Sequence, residues 1–197
     1  MKIIGITGGV GSGKSTVLDL LEKRLGAYIN KADNVANMLM TKGHKAYDDI
    51  VEVFGESILC GDATIDKNKM AQLIFNDKNK RLVVNSIVHP QVKKWITEKI
   101  AELSIDGRTE YVFVEAALLI EDHYDAVCDE IWYIYADEAS RRERLKTSRG
   151  YSDEMITSIY ESQMPEEAFR KASTYTIDNS GDIENTYAQI KIVMNLH

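Results

Sequence analysis

The chain has 197 residues, with 24 Lys or Arg against 31 Asp or Glu and a formal net charge of −7. That length allows one domain, or one core domain carrying an insertion. A content of 44% hydrophobic and 28% charged residues excludes disorder for the bulk of the chain. The acidic balance excludes a general nucleic-acid coat, because counterion release needs many Lys and Arg on one face. It leaves room for an anionic ligand at one local site.

In chain order, Lys2 to Thr7 is short, apolar and β-branched and ends in a glycine cluster, which predicts a buried strand. Lys14 to Leu25 places Val17, Leu18, Leu20, Leu21 and Leu25 at near-helical spacing, and Gly26 stands where a helix ends. Ala27 to Asn30 reads as a second short strand, followed by a polar turn holding Asp33. From Asp33 to Leu103 the pattern is mostly helical. Asp66 is the expected N-cap for Lys67 to Phe75 and Asp77 for the stretch through Ile87, while Pro90 suits the first turn of a further helix through Trp95 to Leu103. This block is far longer than one crossover needs and predicts a helical insertion beside the sheet. Tyr111 to Glu115 and Ile131 to Tyr135 are nearly continuous in hydrophobicity, as strands covered on both faces should be. Asp137 can cap a helix over Glu138 to Lys146, Ser152 begins another and Pro165 a third. Thr174 to Ile177 is a last strand and Ile183 to Leu196 a closing helix. Strands alternating with helices predict an α/β fold with a largely parallel sheet flanked by helices.

Cys60 and Cys128 stand far apart with no metal-ligand spacing, which argues against a disulfide framework or a zinc site. The longest apolar run, Ile131 to Ala136, is too short to span a bilayer, and the N-terminus lacks the long apolar segment of a signal peptide. The expectation is a cytoplasmic protein without membrane or nucleic-acid partners.

Gly8-Gly9-Val10-Gly11-Ser12-Gly13-Lys14-Ser15 fits G-x-x-x-x-G-K-[ST] directly after a predicted strand and opening a predicted helix. The chemistry requires these residue types. Glycines let successive backbone N–H groups turn toward phosphates, and the helix N-terminus adds partial positive charge. Lys14 supplies a point charge for the β- and γ-phosphates, Ser15 a hydroxyl ligand for Mg²⁺, and Thr16 can reach the α-phosphate. A dinucleotide site fails on spacing, because Lys14 stands where the third glycine would. Nucleoside triphosphate binding follows, although the motif alone does not separate a kinase from a GTPase or an ATPase.

Two carboxylates fall at predicted strand ends: Asp33 after the second and Glu115 at the end of the third. Either can orient or deprotonate an attacking hydroxyl or hold a metal-bound water. The competing reading makes Asp33 the cap of a helix beginning near Asn34. The run Arg141 to Arg149 holds five basic residues and one acid in an otherwise acidic chain. Such runs are usually solvated helix faces. A mobile arginine-bearing lid would instead stabilise a transferring phosphoryl group, with Arg144 and Arg149 as the working residues and Arg142 and Lys146 in solvent. His89, from composition alone, reads as a packed or capping histidine. An element for reading guanine is missing after any strand, which disfavours a GTP switch.

In order and spacing, residues 3 to about 181 resemble the dephospho-CoA kinase family. The resemblance rests on Ile6 to Thr16, Lys31-Ala32-Asp33, Phe54-Gly55, Gly61-Asp62, Ile65-Asp66, Ile87-Val88-His89-Pro90, Leu118-Leu119-Ile120-Glu121, Arg144, Arg149, Gln163 and Ile177-Asp178-Asn179. The chain departs from it at Lys31, at Ala172-Ser173, at Glu115-Ala116-Ala117, where the family has Asp-x-Pro, and at Arg141, where a glutamine is common. The resemblance implies a P-loop core over 1–30, 104–137 and 173–197, a helical substrate domain over 31–103 and a lid over 138–172. It implies ATP, Mg²⁺ and dephospho-CoA as ligands, in a monomer or weak homo-oligomer. It implies Asp33, Lys14, Arg144 and Arg149 as catalytic residues, the loop from Gly8 to Thr16 with Asn179 on the nucleotide, and Asp33, His89 and Leu118 on the acceptor. Ser15 would ligate Mg²⁺, and Glu115 would do so through water.

Overall fold

The computed structural model describes residues 1–116 and 118–196, with Asn76 described in its backbone alone. The first strand, β1 (Lys2–Thr7), leads through the glycine loop into α1 (Lys14–Leu25), which closes on Gly26 at φ 61°. That left-handed conformation suits glycine at a helix end. Next come β2 (Tyr28–Lys31), α2 (Ala32–Leu39), α3 (Lys45–Phe54), α4 (Lys67–Asn76) and α5 (Lys78–Asp106). The chain then forms β3 (Tyr111–Glu115), β4 (Glu130–Tyr135), α6 (Glu138–Arg149), α7 (Asp153–Ser162), α8 (Glu166–Ala172), β5 (Tyr175–Asp178) and α9 (Ile183–Met194).

The strands make one parallel sheet in the order β2-β3-β1-β4-β5. Ile4 pairs with Phe113 of β3 on one side and with Glu130 of β4 on the other, and Trp132 pairs with Tyr175 of β5. The chain leaves β1 toward β2 in one direction and β4 toward β5 in the other. The switch point therefore lies between the carboxyl ends of β1 and β4, where open parallel sheets bind ligands. Both faces of the central strands are covered: on one, Ile4, Ile6, Phe113, Trp132 and Ile134 are fully buried with Val17, Leu18 and Leu21 of α1 and Ile190 of α9, and on the other Val112, Val114 and Tyr133 are buried as well. Phe113 and Trp132 meet edge to face at 5.5 Å, a geometry favoured by the ring quadrupoles. Leu119 and the Cys128 thiol lie against β1 where Gly5 has no side chain, and burial beside Asp129 and Asp125 pushes that thiol up to about 12.

The contacts divide into two units, Met1–Ile29 with Asp106–His197, and Asn30–Ile105. The second has its own core, including Ala46, Tyr47, Ile50, Val88 and Ile96. Asp66 and Asp77 each accept two backbone N–H bonds, as expected of caps. Several element boundaries differ from expectation. Pro90 does not open a helix but lies inside α5, which runs unbroken for 29 residues. A proline costs that helix the bond to the Ser86 carbonyl and crowds that carbonyl with its ring. The buried stripe Val84, Val88, Val92, Ile96 and Ile100 continues through it at four-residue spacing. Packing thus outweighs the local break. α6 extends to Arg149, which sits in its last turn and not in the following loop, and Gly150 ends it at φ 66°. Cationic Lys146 and Arg149 in that turn complement the helix dipole. β5 and α9 shift or shorten by one or two residues from the predicted spans.

Among the described residues, no helix is long and apolar enough to cross a membrane, and no three His, Cys, Asp or Glu side chains cluster to hold a metal.

Candidate active site

The loop after β1 is built by close approach. A Cβ on Gly9 would stand 2.5 Å from the Arg141 guanidinium, and one on Gly8 would stand 2.5 Å from the Ile134 carbonyl of β4. At Gly8 the obstacle is backbone and φ is 151°, so only glycine fits there, whereas at Gly9 the arginine would have to shift. Gly13, at φ 86°, is the N-cap of α1 and offers no side-chain cap. The first N–H groups of α1 have no acceptor within the helix and give the loop its anion-binding character. Lys14 folds back, its ammonium donating to the carbonyls of Gly8 at 2.7 Å and Gly9 at 3.4 Å. Ser15 and Thr16 are exposed at the head of the helix, and the Ser12 hydroxyl is buried without a partner among the described residues.

Behind the loop, four side chains fix its backbone. The Asn179 amide donates to the Ser12 carbonyl at 2.7 Å, while its oxygen accepts from the Thr186 hydroxyl at 2.9 Å. Arg144 donates to the Asn179 carbonyl at 2.7 Å and to the Ser12 carbonyl at 3.4 Å. Arg141 donates through Nε to the Val10 carbonyl at 2.9 Å and through a terminal nitrogen to Gln163 at 3.1 Å. Gln163 in turn accepts from the Val10 N–H at 3.2 Å, and the Arg141 guanidinium lies 4.2 Å over the Tyr160 ring. α6 and the Gln163 turn after α7 thus hold both polar groups of one loop residue. Asp137 anchors the start of α6. The Ser140 backbone N–H and then its hydroxyl hold the Asp137 carboxyl below its ordinary value.

The other expected residues fall as follows. Asp33 lies in the first turn of α2, which begins at Ala32 with Lys31 as its cap position, so the alternative of Asp33 capping a helix is not what forms. Its carboxylate is exposed and makes no bond among the described residues; only its carbonyl is used, by Asn37. His89 is half-buried in the interior of α5 and not at a helix start. Glu115, half-buried, ends β3 opposite Ile6. Leu118 is 40% exposed in the turn beyond β3, and Ala117 lies outside the described residues. Arg149 is exposed near the Tyr151 ring. Arg142 pairs with Glu138 and Asp153, and Lys146 with Asp153, so both tie α6 to its surroundings and do not simply face solvent. The contact that the sequence did not disclose is Arg141 against the loop. Its position in a basic run was legible, but its partners stand 131 and 22 residues away.

A glycine-lysine loop at the switch point of a five-strand parallel sheet defines a P-loop nucleotide-binding fold of the kinase type. The family model described as dephospho-CoA kinase (CoaE) matches residues 2–185. A dephospho-CoA kinase of Carboxydothermus hydrogenoformans is 40% identical over 98% of this chain and 93% of its own, and one of Aquifex aeolicus is 38% identical over 98% and 96%. The solved structure of TT1252 from Thermus thermophilus superposes with a TM-score of 0.81 at 29% identity, over 98% of this chain and 96% of that one. The chain belongs to the dephospho-CoA kinase family.

Proposed function

We propose that the protein transfers the γ-phosphoryl group of ATP to the ribose 3′-hydroxyl of dephospho-CoA, giving CoA and ADP. The observation that carries this reading is the complete phosphate loop, with Lys14 and an exposed Ser15 at the head of α1, in a chain of this family. The N–H groups of Gly11, Gly13 and the first turn of α1 would cradle the phosphates, with Thr16 on the α-phosphate. The Lys14 ammonium would leave the loop carbonyls for the β- and γ-oxygens. Ser15 fits Mg²⁺, since its exposed hydroxyl is a hard oxygen donor with no bond among the described residues. Held there, with Glu115 reaching it through water, Mg²⁺ supplies charge neutralisation at the phosphate oxygens.

Asp33 would accept the proton of the 3′-hydroxyl as its oxygen bonds to the γ-phosphorus. The bond to the bridging oxygen breaks, and ADP departs. An exposed, unpaired carboxylate suits that role, because no competing bond needs to be broken first. Arg149 would reach the transferring oxygens, whereas Arg144 and Asn179 would act largely through the Ser12 carbonyl they hold. The cleft of about 430 Å³ lined by Ser140, Glu143, Arg144, Thr147, Ser148 and Ser180 would take the adenosine of ATP. Residues 31–103 would bind dephospho-CoA, with His89 and Leu118 as contacts, and residues 138–172 would close as a lid over a core made of the rest. Incubation with MgATP and dephospho-CoA should give CoA by mass spectrometry. A folded, ATP-binding preparation that yields none would overturn the reading.

A further inference from the structure

We infer that Arg141 is a positioning residue of the phosphate loop, which aims the Gly11 N–H at the phosphates from outside the site. The inference rests on the nucleotide proposed above. It adds a side chain that sets the loop's anion-binding geometry without touching the anion.

A trans peptide points its carbonyl and the N–H that follows in opposite directions, so holding one aims the other. The Val10 carbonyl accepts from Arg141 Nε at 2.9 Å, and the Gly11 N–H of that peptide therefore faces away from α6. The Ser12 carbonyl accepts from Asn179 at 2.7 Å and from Arg144 at 3.4 Å, which turns the Gly13 N–H away from those side chains in the same manner. Gly11 at φ 83° and Gly13 at φ 86° are both left-handed, a conformation that closes a short loop into an anion-binding concavity. Neither N–H meets an acceptor among the described residues.

The preceding peptide is turned the other way. The Val10 N–H donates to Gln163 at 3.2 Å, so the Gly9 carbonyl faces inward, where the Ser12 N–H at 3.2 Å and the Lys14 ammonium at 3.4 Å meet it. Gln163 completes the clamp, because the oxygen that accepts from Val10 also accepts from a terminal nitrogen of Arg141 at 3.1 Å. The Tyr160 ring, 4.2 Å from the guanidinium, holds its plane against the loop. The two aimed N–H groups are secured unequally. Behind Gly13 stand two side chains, one of them braced by Thr186, whereas behind Gly11 the Val10 carbonyl has Arg141 alone among the described residues.

That inequality makes the test. Inorganic tripolyphosphate should shift the amide resonances of Gly11 and Gly13 together in the wild type. Arg141→Met keeps a long stem beside Tyr160 and loses every donor. It should weaken tripolyphosphate binding about tenfold, and at saturation Gly13 should keep its shift while that of Gly11 falls by about half or more. Arg141→Gln carries its amide nitrogen as many bonds from Cα as the arginine Nε, so it can still donate to the Val10 carbonyl, without charge. It should restore the Gly11 shift and bring the affinity back to within about threefold of wild type. Arg141→Ala makes the same comparison with glutamine if the methionine variant does not fold. In turnover the loss should fall on the KM for ATP and leave the KM for dephospho-CoA within about twofold. Gly11 and Gly13 shifts that are lost together or kept together, a glutamine variant no better than the donor-free one, or a wild type in which tripolyphosphate moves neither amide would overturn the inference. A wild type that turns over no dephospho-CoA counts against the proposed function, while the tripolyphosphate titration still decides the role of Arg141.

Discussion

Asp33 and Arg141 are the two residues on which the proposed chemistry is most exposed to test. Asp33→Asn keeps size and helix position but removes the proton acceptor. It should lower kcat by a factor of about 10² to 10⁴ while leaving the KM for ATP within about threefold, as read from steady-state kinetics with each substrate varied. A change in ATP binding alone would remove Asp33 from the chemistry. Arg141 touches the loop and not the acceptor. Arg141→Ala leaves the Val10 carbonyl without its side-chain donor and Gln163 with the Val10 N–H alone, and should weaken ATP binding about tenfold, the size of one charge-assisted hydrogen bond, as measured by calorimetry. These two residues also mark how far the sequence could be read. Asp33 was legible because it follows a predicted strand at a motif's spacing. The helical pattern after it was legible too, but not its start at Ala32, because Lys31 at the cap position has no capping side chain. Arg141 is substituted relative to the family pattern, and its role exists only once the Gln163 turn and the loop are brought together.

At the scale of elements, α5 and α6 make opposite points about local rules. In α5, Pro90 is exposed and costs one backbone bond within a helix held by a buried stripe. Pro90→Ala restores that bond and should stabilise the protein by about 1 to 3 kcal/mol, judged from helix-interior propensities, as read from urea melts. The predicted break failed because the proline signal is local, whereas the stripe is buried along the helix on both sides of it. In α6 the local signal held, since Asp137 caps it as its sequence position suggests. Its carboxyl is held below the ordinary 3.8, so its stabilisation is fully present above 3.8 and is lost as pH falls through the lower folded value. The stability gap between wild type and Asp137→Asn should therefore be open at neutral pH and narrow below 3.8. Urea melts at several pH values would show it, and a gap that is constant with pH would remove the charge from the account.

For the whole molecule, the fold class followed from β-branched runs alternating with helical spacing, because a parallel sheet covered on both faces leaves that pattern in the sequence, whereas the strand order, set by contacts distant in sequence, did not. The grouping of contacts did not follow so directly. Residues 138–172 fall with the sheet in one contact unit, and Arg141, Arg144 and Gln163 are the bonds that tie them to the loop. Hydrogen exchange should therefore respond to ATP as one network. Residues 8–16 and 138–163 should gain protection together, while α3 to α5 stay unchanged. Protection gained in the loop alone would mean that α6 and α7 are bystanders. The chain's net charge of −7 sets no obstacle to the two polyanionic substrates proposed, because the positive groups that would meet them are concentrated in one loop and one helix.

The folded-back Lys14 has a further consequence. Its ammonium rests on two neutral carbonyl oxygens of its own loop, so an arriving group has to outbid them. A ligand with one weakly charged oxygen gains little by the exchange. A triphosphate, with several full negative charges converging on one cation, gains a great deal. On the proposed function, the resting contact would act as a threshold that favours ligands bringing several negative charges to the loop.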